Sequence, residues 1–403
     1  MAEHLIVIGA GPAGIFAALS WIEHAPDTQV TIVEKESEAL GCFLKKNRDP
    51  WSLTREIYEP AEMADQYVRG GREMLGPLHR WGAADAMSWF EQHGIAFDVD
   101  ETGRVIPVDG IDVLRNKLLG LVSEAGIKIS TNCNVVAADA KSTGGFWITL
   151  EGEGTMECDS LVLAGGGLLA TKAKGICAAF GHTVVEPVPA IFDLHTRDSR
   201  IVHAAGELVE GAHLIDDSGA EASGLIRLEP WGLSGPVVGE LTSRAAESMR
   251  DRRYTFSLRI DWIGGLKNPT ERTIDAITRA NPRRPVGDEQ HAPIPSRLWL
   301  QMVKDAGIDP STQWQRLTKQ EARALHRQLR HDSIKIVKRG SHYQETAVCG
   351  GVALSEIDFR SFQSRLVPGL HFVGDILDVD GLPGGANLQT CWTTGWLAGL
   401  SNI

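Results

Sequence analysis

The chain opens on a short apolar run, "HLIVI" (residues 4–8), which breaks into "GAGPAG", resumes as helix-like "IFAALSWIEH" and turns apolar again in "QVTIVEK". Strand, turn, helix and strand in about 35 residues is the length of a β-α-β unit. Residues 51–99 are polar and rich in Glu, Arg and Trp, and read as helices; in "GAADAMSWFEQHGI" Gly94 stands where a C-cap belongs. "GRVIPV" (103–108) reads as a strand and "DVLRNKLLGLVSEAG" (112–126) as an amphipathic helix closed by Gly126. "IKISTNCNVVAADA", "GFWITLEG" and "MECDSLVLAGGG" follow as strands separated by turns. From about 189 to 340 the texture changes, with strand-like "AIFDLHT" and "YTFSLRIDWI", Pro-rich "NPRRPVGDEQHAPIP", and helical "SRLWLQMVKDAG" and "KQEARALHRQLR". The expected organisation is α/β: a first domain over 1–188, an insert over 189–342, and a return to the first domain over 343–403.

Composition narrows the class. A chain of 403 residues is long for one core. Its 43% hydrophobic and 23% charged residues are ordinary for a globular protein and exclude a disordered one. No apolar run reaches the roughly 18 residues that span a bilayer. Glu3 stands where a signal peptide carries basic residues, and the first apolar run breaks into glycines. The expectation is a soluble cytoplasmic protein, with no membrane partner. Six scattered cysteines without a C-x-x-C pair argue against a disulfide framework, a zinc ribbon and a dithiol redox centre. The formal charge of −12 disfavours a large nucleic-acid footprint, although a local basic face can hide within it.

Gly9-Ala10-Gly11-Pro12-Ala13-Gly14 fits G-x-G-x-x-G. In that pattern the first glycine makes the tight turn, the second lets backbone approach a pyrophosphate, and the third lets helix pack on strand. The helix N-terminus then offers unpaired N–H groups to the phosphates. A strand before, a helix after, and Glu34 at the end of the second strand, 20 residues beyond Gly14, make the signal more specific than a lone motif. A carboxylate there accepts hydrogen bonds from a ribose diol and disfavours a 2′-phosphate, but it does not separate FAD from NAD. With Lys35 and Val135, these are the cofactor candidates of the chain's first half.

The later sequence favours FAD. "SLVLAGGG" (160–167), with Ala164, Gly165 and Gly166, and "GLHFVGDI" (369–376), with Gly374 and Asp375, read as further strands of the N-terminal sheet. The second places an Asp near a ribityl chain and pyrophosphate. "GLPGGANLQ" then opens a helix in which Gly384, Gly385, Ala386, Asn387 and Leu388 are placed to meet the flavin's pyrimidine edge, where negative charge develops on reduction. No second G-x-G-x-x-G with a downstream carboxylate appears, so a nicotinamide, NADH or NADPH, is expected only as a transient reductant.

Over nearly its whole length the chain resembles the HI0933-like or BaiN-like family of bacterial NAD(P)/FAD-dependent oxidoreductases. The resemblance rests on "VIGAGPAG", "WFEQHGIAFDVDETGRVIPV", "LVLAGGG", "AAFGHTVVEPVPAIFDL", "WGLSGPVV", "AVCGGVALSEID" and "VPGLHFVGDILDVDGLPGGANLQTCWTTGWLAG", the last being the most specific. It implies a Rossmann-type FAD-binding domain carrying an inserted β-rich lobe and a small helical lobe, with FAD bound non-covalently. It also puts Gly350, Gly351 and Val352 at the border of the site. Two stretches depart from the family. Relatives carry a "GRKLLISGGGRCN"-like loop against the flavin where this chain has "GCFLKKNRDPWSLT" (41–54), and a "TGSTGDG" loop where it has "GGGLLATKAKG". The substrate therefore does not transfer with the cofactor.

A flavin brings its own redox chemistry, so no Ser-His-Asp or metal constellation is needed, and none is read. Lys45, Lys46 and Arg48 place positive charge where a flavin or an anionic substrate approaches, while Trp231, Ser234 and Gly235 are candidates to line a substrate cleft. His182 reads as structural. The expectation is an FAD-dependent oxidoreductase acting on a small molecule. Two alternatives stay open: a reductase of uridine in ribosomal RNA, pointed to by the basic stretch 322–343, and a flavin-binding protein without turnover.

Overall fold

The computed structural model describes residues 3–44, 51–152, 154–166, 173–264, 270–288, 294–340 and 347–402. The chain divides into two compact units, one formed by Met1–Pro189 with Thr346–Ile403 and the other by Ala190–Glu345. All six cysteines are free thiols.

The first unit is built on a seven-stranded sheet. Its order is Ile357–Asp358, Gln363–Ser364, Leu370–Phe372, Ser160–Leu163, His4–Ile8, Gln29–Val33 and Lys128–Ser130. The last five are parallel and the first two form an antiparallel edge. Strands buried on both faces read as near-continuous apolar runs, which is why "HLIVI" and "SLVL" lack alternation. The chain departs from the strand His4–Ile8 to Gln29–Val33 on one side and returns at Ser160–Leu163 on the other. That makes the carboxyl end of this strand a switch point, where open α/β sheets bind ligands.

Two helices fix the architecture. The first, Pro12–His24, follows the fingerprint; the C-terminal helix, Ala386–Gly399, lies against it. A methyl group on Gly395 would come 2.8 Å from Ala13 O and 3.0 Å from Ala17 N, and one on Gly399 would strike Ser20. Partners advance in the same direction along both helices, so they run parallel at backbone contact. An aromatic cluster closes over them: the Phe16 ring sits 4.6 Å from Trp89 and 5.1 Å from Trp392. Trp392 Nε1 donates to Leu53 O at 2.8 Å and Thr393 Oγ1 to Trp81 O at 3.0 Å, tying the 50s and 80s to the C-terminal helix.

Residues 51–99 are not wholly helical. The helices Pro60–Ala64, Gly71–Arg80 and Ala83–Gln92 form, but Thr54–Arg55, Tyr67–Arg69 and Phe97–Val99 are strands. Two of them pair far along the chain, Thr54 opposing Val105 and Tyr67 opposing Gly381, while Phe97–Val99 pairs with the nearby Arg104–Pro107. Pieces of two or three residues are too short to show a period, so pairing rather than pattern makes them strands.

The second unit is a closed barrel in the order Leu194–Thr196, Gly232–Ser234, Glu221–Glu229, Leu208–Ile215, Phe256–Asp261 and Asp332–Arg339. Its helices include Pro236–Asp251, Ser296–Asp305 and Lys319–Arg330. The last carries a capping box: Thr318 Oγ1 accepts from the Glu321 N–H at 3.2 Å, and the Thr318 N–H donates to Glu321 Oε2 at 2.8 Å. Among the described residues no helix is long and apolar enough to cross a membrane.

The helix contact is open to a direct test. Gly395→Val should destabilise the protein by about 1–3 kcal/mol, read from the urea midpoint, because neither neighbouring backbone atom can yield. Gly76→Ala is the matched control. Nothing lies within 4 Å of the added methyl in the helix Gly71–Arg80, so stability should hold or rise.

Candidate functional site

The fingerprint glycines divide by what surrounds them. Gly9 has φ +110°, and a methyl there would lie 2.7 Å from Ala164 O. A methyl on Gly14 would lie 2.0 Å from Gly9 O. Both are required by the chain packing on itself. Beyond its own helix and chain neighbours, Gly11 has no atom of the described residues within 4 Å of its missing side chain, so its backbone borders open space. Gly11 caps the first helix without a side-chain hydrogen bond, Pro12 occupies its first turn, and the leading N–H groups have no acceptor within the helix. The Ala13 methyl is buried against Gly374: a side chain on Gly374, φ +72°, would come within 2.6 Å of it.

Glu34 reaches back into this turn. Its Oε2 accepts from the Ala10 N–H at 2.7 Å and its Oε1 from the Glu36 N–H at 2.9 Å. A carboxylate has about four acceptor sites, so two remain for hydroxyl donors. Lys35 is exposed and pairs with Glu36 at 3.2 Å. Val135 is a buried residue at the start of the strand Val135–Ala140.

Opposite the fingerprint, Ala164 donates its N–H to Ile8 O at 2.9 Å, and Gly165 and Gly166 continue toward Asp375. A side chain on Gly166 would meet Asp375 Oδ2 at 3.7 Å. Gly374 N–H donates to Thr394 Oγ1 of the C-terminal helix at 2.9 Å. The Asp375 carboxylate has no hydrogen-bond partner among the described residues. Though it keeps some exposure, desolvation by the surrounding protein raises its pKa to about 6. Burial, and then the nearby Asp375 carboxylate, push the Cys391 thiol up and keep it neutral.

The C-terminal turn supplies the far wall. Gly384 and Gly385 have φ of +107° and +121°, and a methyl on Gly385 would come within 2.6 Å of the Thr54 backbone. Thr54 Oγ1 donates to the buried Gln389 Oε1 at 2.6 Å. The Asn387 side chain is consumed locally, accepting from the Gly381 N–H at 2.8 Å and donating to Gly381 O at 3.1 Å. What this turn can offer a ligand is therefore the free N–H groups of Ala386, Asn387 and Leu388 in the helix's first turn. From the register of Gly395 and Gly399 on the first helix, this N-terminus projects roughly 8 Å beyond the other, at 1.5 Å of rise per residue. A five-carbon ribityl chain bridges such an interval, so the residues present fit an FAD with its pyrophosphate at the first helix and its ring at the second.

The substrate candidates are dispersed. Lys45, Lys46 and Arg48 lie outside the described residues. Trp231 and Ser234 belong to the barrel unit; Ser234 is buried in its strand and donates to Glu229 Oε1 at 2.9 Å. Gly350 and Gly351 are demanded by packing, since side chains there would strike Glu186 O at 2.7 Å and the Leu377 carbonyl carbon at 2.5 Å. His182 joins a row invisible in the sequence, its Nδ1 2.8 Å from Glu356 and its Nε2 2.8 Å from Ser364 Oγ. It has the outline of a Ser-His-Glu relay. Ser364 is buried, however, and its oxygen already accepts from the Leu366 and Val367 N–H groups, so the row is a clamp. The segment 51–55, clasped between Val105 and the C-terminal helix, overlaps the stretch 41–54 expected to approach the flavin, although the sequence offers no motif that marks its individual residues.

Residues 3–401 match the family described as HI0933-like protein Rossmann domain. The 3-dehydro-bile acid delta(4,6)-reductase of Clostridium scindens is 24% identical over 98% of this chain and 97% of its own length. The ribosomal RNA dihydrouridine synthase of Escherichia coli is likewise 24% identical, over 97% of this chain and 96% of its own. Among solved structures, the 3-ketosteroid-delta4-(5alpha)-dehydrogenase of Rhodococcus jostii superposes with a TM-score of 0.52 at 13% identity, covering 99% of this chain and 96% of that one, and so shares the fold. The chain belongs to the HI0933-like family of Rossmann-type flavin oxidoreductases.

Proposed function

We propose that the protein binds FAD non-covalently and reduces, or in reverse forms, a carbon–carbon double bond conjugated to a carbonyl in a small molecule. The observation that carries the cofactor assignment is Asp375: a desolvated carboxylate with no hydrogen-bond partner among the described residues, facing Gly166 at the carboxyl end of the central strands. Hydroxyl donors of a ribityl chain would satisfy it. The N–H groups behind Gly11 would hold the pyrophosphate, Glu34 the adenosine ribose, and the first turn of the C-terminal helix the ring. A bound flavin supplies two-electron chemistry, releasing or accepting a hydride. The substrate class is supported by the two relatives' names, since a 3-dehydro delta(4,6) steroid and the uracil ring each present a double bond conjugated to a carbonyl.

RNA is the second reading of that class. Arg323 and Arg327 on the helix Lys319–Arg330, and Lys335 and Lys338 on the strand Asp332–Arg339, are exposed and basic. Phosphate contacts of this kind weaken steeply with salt.

An anaerobic titration of the FAD-loaded protein tests both. NADH or NADPH should bleach the flavin bands, and an α,β-unsaturated ketone should restore them. Restoration by a uridine-bearing RNA and not by ketones would select the RNA reading. Bands that neither nicotinamide nor any ketone changes would leave a flavin binder without turnover.

Asp375 gives a prediction of opposite signs. Its folded pKa, about 6, lies above the ordinary 3.8, so the folded state binds the proton more tightly than the unfolded chain. Its contribution to apoprotein stability is therefore greatest below pH 4 and is lost as pH rises through 6, by about 3 kcal/mol. Asp375→Asn should raise the urea midpoint of the apoprotein at pH 7.5 and leave it little changed at the acid end. The same variant should weaken FAD binding at least tenfold, on the order expected for hydrogen bonds to a charged acceptor. Loss of stability at pH 7.5 would show that the carboxylate has a protein partner.

A further inference from the structure

Buried polar atoms are nearly always paired in native structures, with only a few exceptions per hundred residues. Three exceptions fall within five consecutive positions here. Trp51 Nε1, Ser52 Oγ and Arg55 Nε are buried and have no hydrogen-bond partner among the described residues. Ser52 as a residue is only 7% exposed. The segment that bears them is not loose. Leu53 N–H donates to Val105 O at 2.8 Å, Leu53 O accepts from Trp392 Nε1, and Thr54 packs on Gly385 and bonds Gln389. The Trp51 ring packs edge-on against Phe43 at 5.2 Å. Arg55 gives Nη2 to Thr102 O at 3.0 Å, while its Nη1 stands 3.2 Å from where a side chain on Gly384 would begin.

The chemistry of the three atoms narrows the missing partner. Indole and guanidinium nitrogens only donate, and a serine hydroxyl can donate. Arg55 adjoins a helix start whose first N–H groups also lack acceptors among the described residues, and Thr54 of the same segment packs on it. Among the described residues every unpaired nitrogen at this turn calls for an acceptor, the serine hydroxyl can be met by one, and one group, Arg55, adds positive charge. The pyrophosphate is provided for at the other helix, roughly 8 Å away. We infer that Trp51, Ser52 and Arg55 form a donor set for the carbonyl and ring-nitrogen edge of the flavin, replacing in this chain the glycine-rich loop that its stretch 41–54 lacks. The inference rests on the FAD reading and adds to it the residues that set the ring's position and its electron affinity.

Trp51→Phe and Ser52→Ala each delete one unpaired donor and keep the packing. In the full-length protein, FAD binding measured by flavin fluorescence should weaken about tenfold in each variant, and further in the double variant. The flavin midpoint potential should move negative, because fewer donors face the ring as it gains charge. The apoprotein melting temperature should hold or rise, since each change removes an unsatisfied buried group. Wild-type affinity and potential in both variants would overturn the inference while leaving the cofactor reading intact. A drop in apoprotein stability that parallels the loss of FAD would also overturn it, by revealing a structural partner. A wild-type chain that takes up no FAD would overturn both.

Discussion

The contact on which the rest of the molecule depends is the parallel, backbone-close packing of the C-terminal helix on the first helix. It is possible only because Gly395, Gly399 and Gly374 present no side chain to Ala13, Ala17 and Ser20. Close approach brings dispersion contacts between main chains that larger residues would hold apart. It also fixes the spacing of two helix N-termini, each with unpaired N–H groups, at the end of the sheet where the strand order reverses. The last residues of the chain are thus no loose tail. They complete the fold and, through Trp392 and Thr393, hold the 50s and 80s in place.

Glycine density alone would not have identified a ligand site. Gly9, Gly14, Gly350, Gly351 and Gly385 are each explained by a main-chain atom under 3 Å from the missing side chain, and would be required in a protein that bound nothing. Gly11 is the informative one, because none of the described residues outside its own helix and chain neighbours occupies the space beside it. The same distinction separates Asp375 from His182. Both are desolvated and polar, but His182 is bonded at both ring nitrogens, to Glu356 and to a Ser364 oxygen that is itself saturated. Three residues in the outline of a catalytic relay are inert when every lone pair is spent, whereas a carboxylate with no hydrogen-bond partner among the described residues is free to take a ligand.

Much of this was legible in the sequence, for reasons that differ by element. The strands His4–Ile8 and Ser160–Leu163 and the helices Pro12–His24 and Ile111–Glu124 announce themselves because burial imposes their apolar pattern and glycine punctuates their ends. The Rossmann turn is legible because Gly9 and Gly14 answer to steric demands that no other residue meets. What stayed hidden depends on pairing between distant segments. Thr54–Arg55 is a strand only because Arg104 and Val105 lie beside it, and Asn387 looks like a ligand-facing residue until Gly381 is seen to take both ends of its amide. The long helix Pro236–Asp251 went unread because its run begins at Gly235-Pro236, which resembles a turn, and proline at a helix's first position is equally consistent with either.

The departures from family pattern at 41–54 are best understood through what they keep. The segment 51–55 is fastened to the strand Arg104–Pro107 on one side and to the C-terminal helix on the other, so its backbone position is set by contacts within this chain. Losing a glycine-rich loop removes backbone N–H groups that could approach a ligand closely. Side chains that donate from a fixed backbone are the physical substitute. They reach farther than an N–H and can carry charge, and they are costly to bury unpaired. A protein that leaves Trp51, Ser52 and Asp375 without partners in one unit carries that cost continuously unless a ligand relieves it. Donors and an acceptor placed at separate points along an elongated track are relieved together only by a ligand with the complementary groups in the same order, and that order, more than the number of glycines, is what selects a flavin dinucleotide.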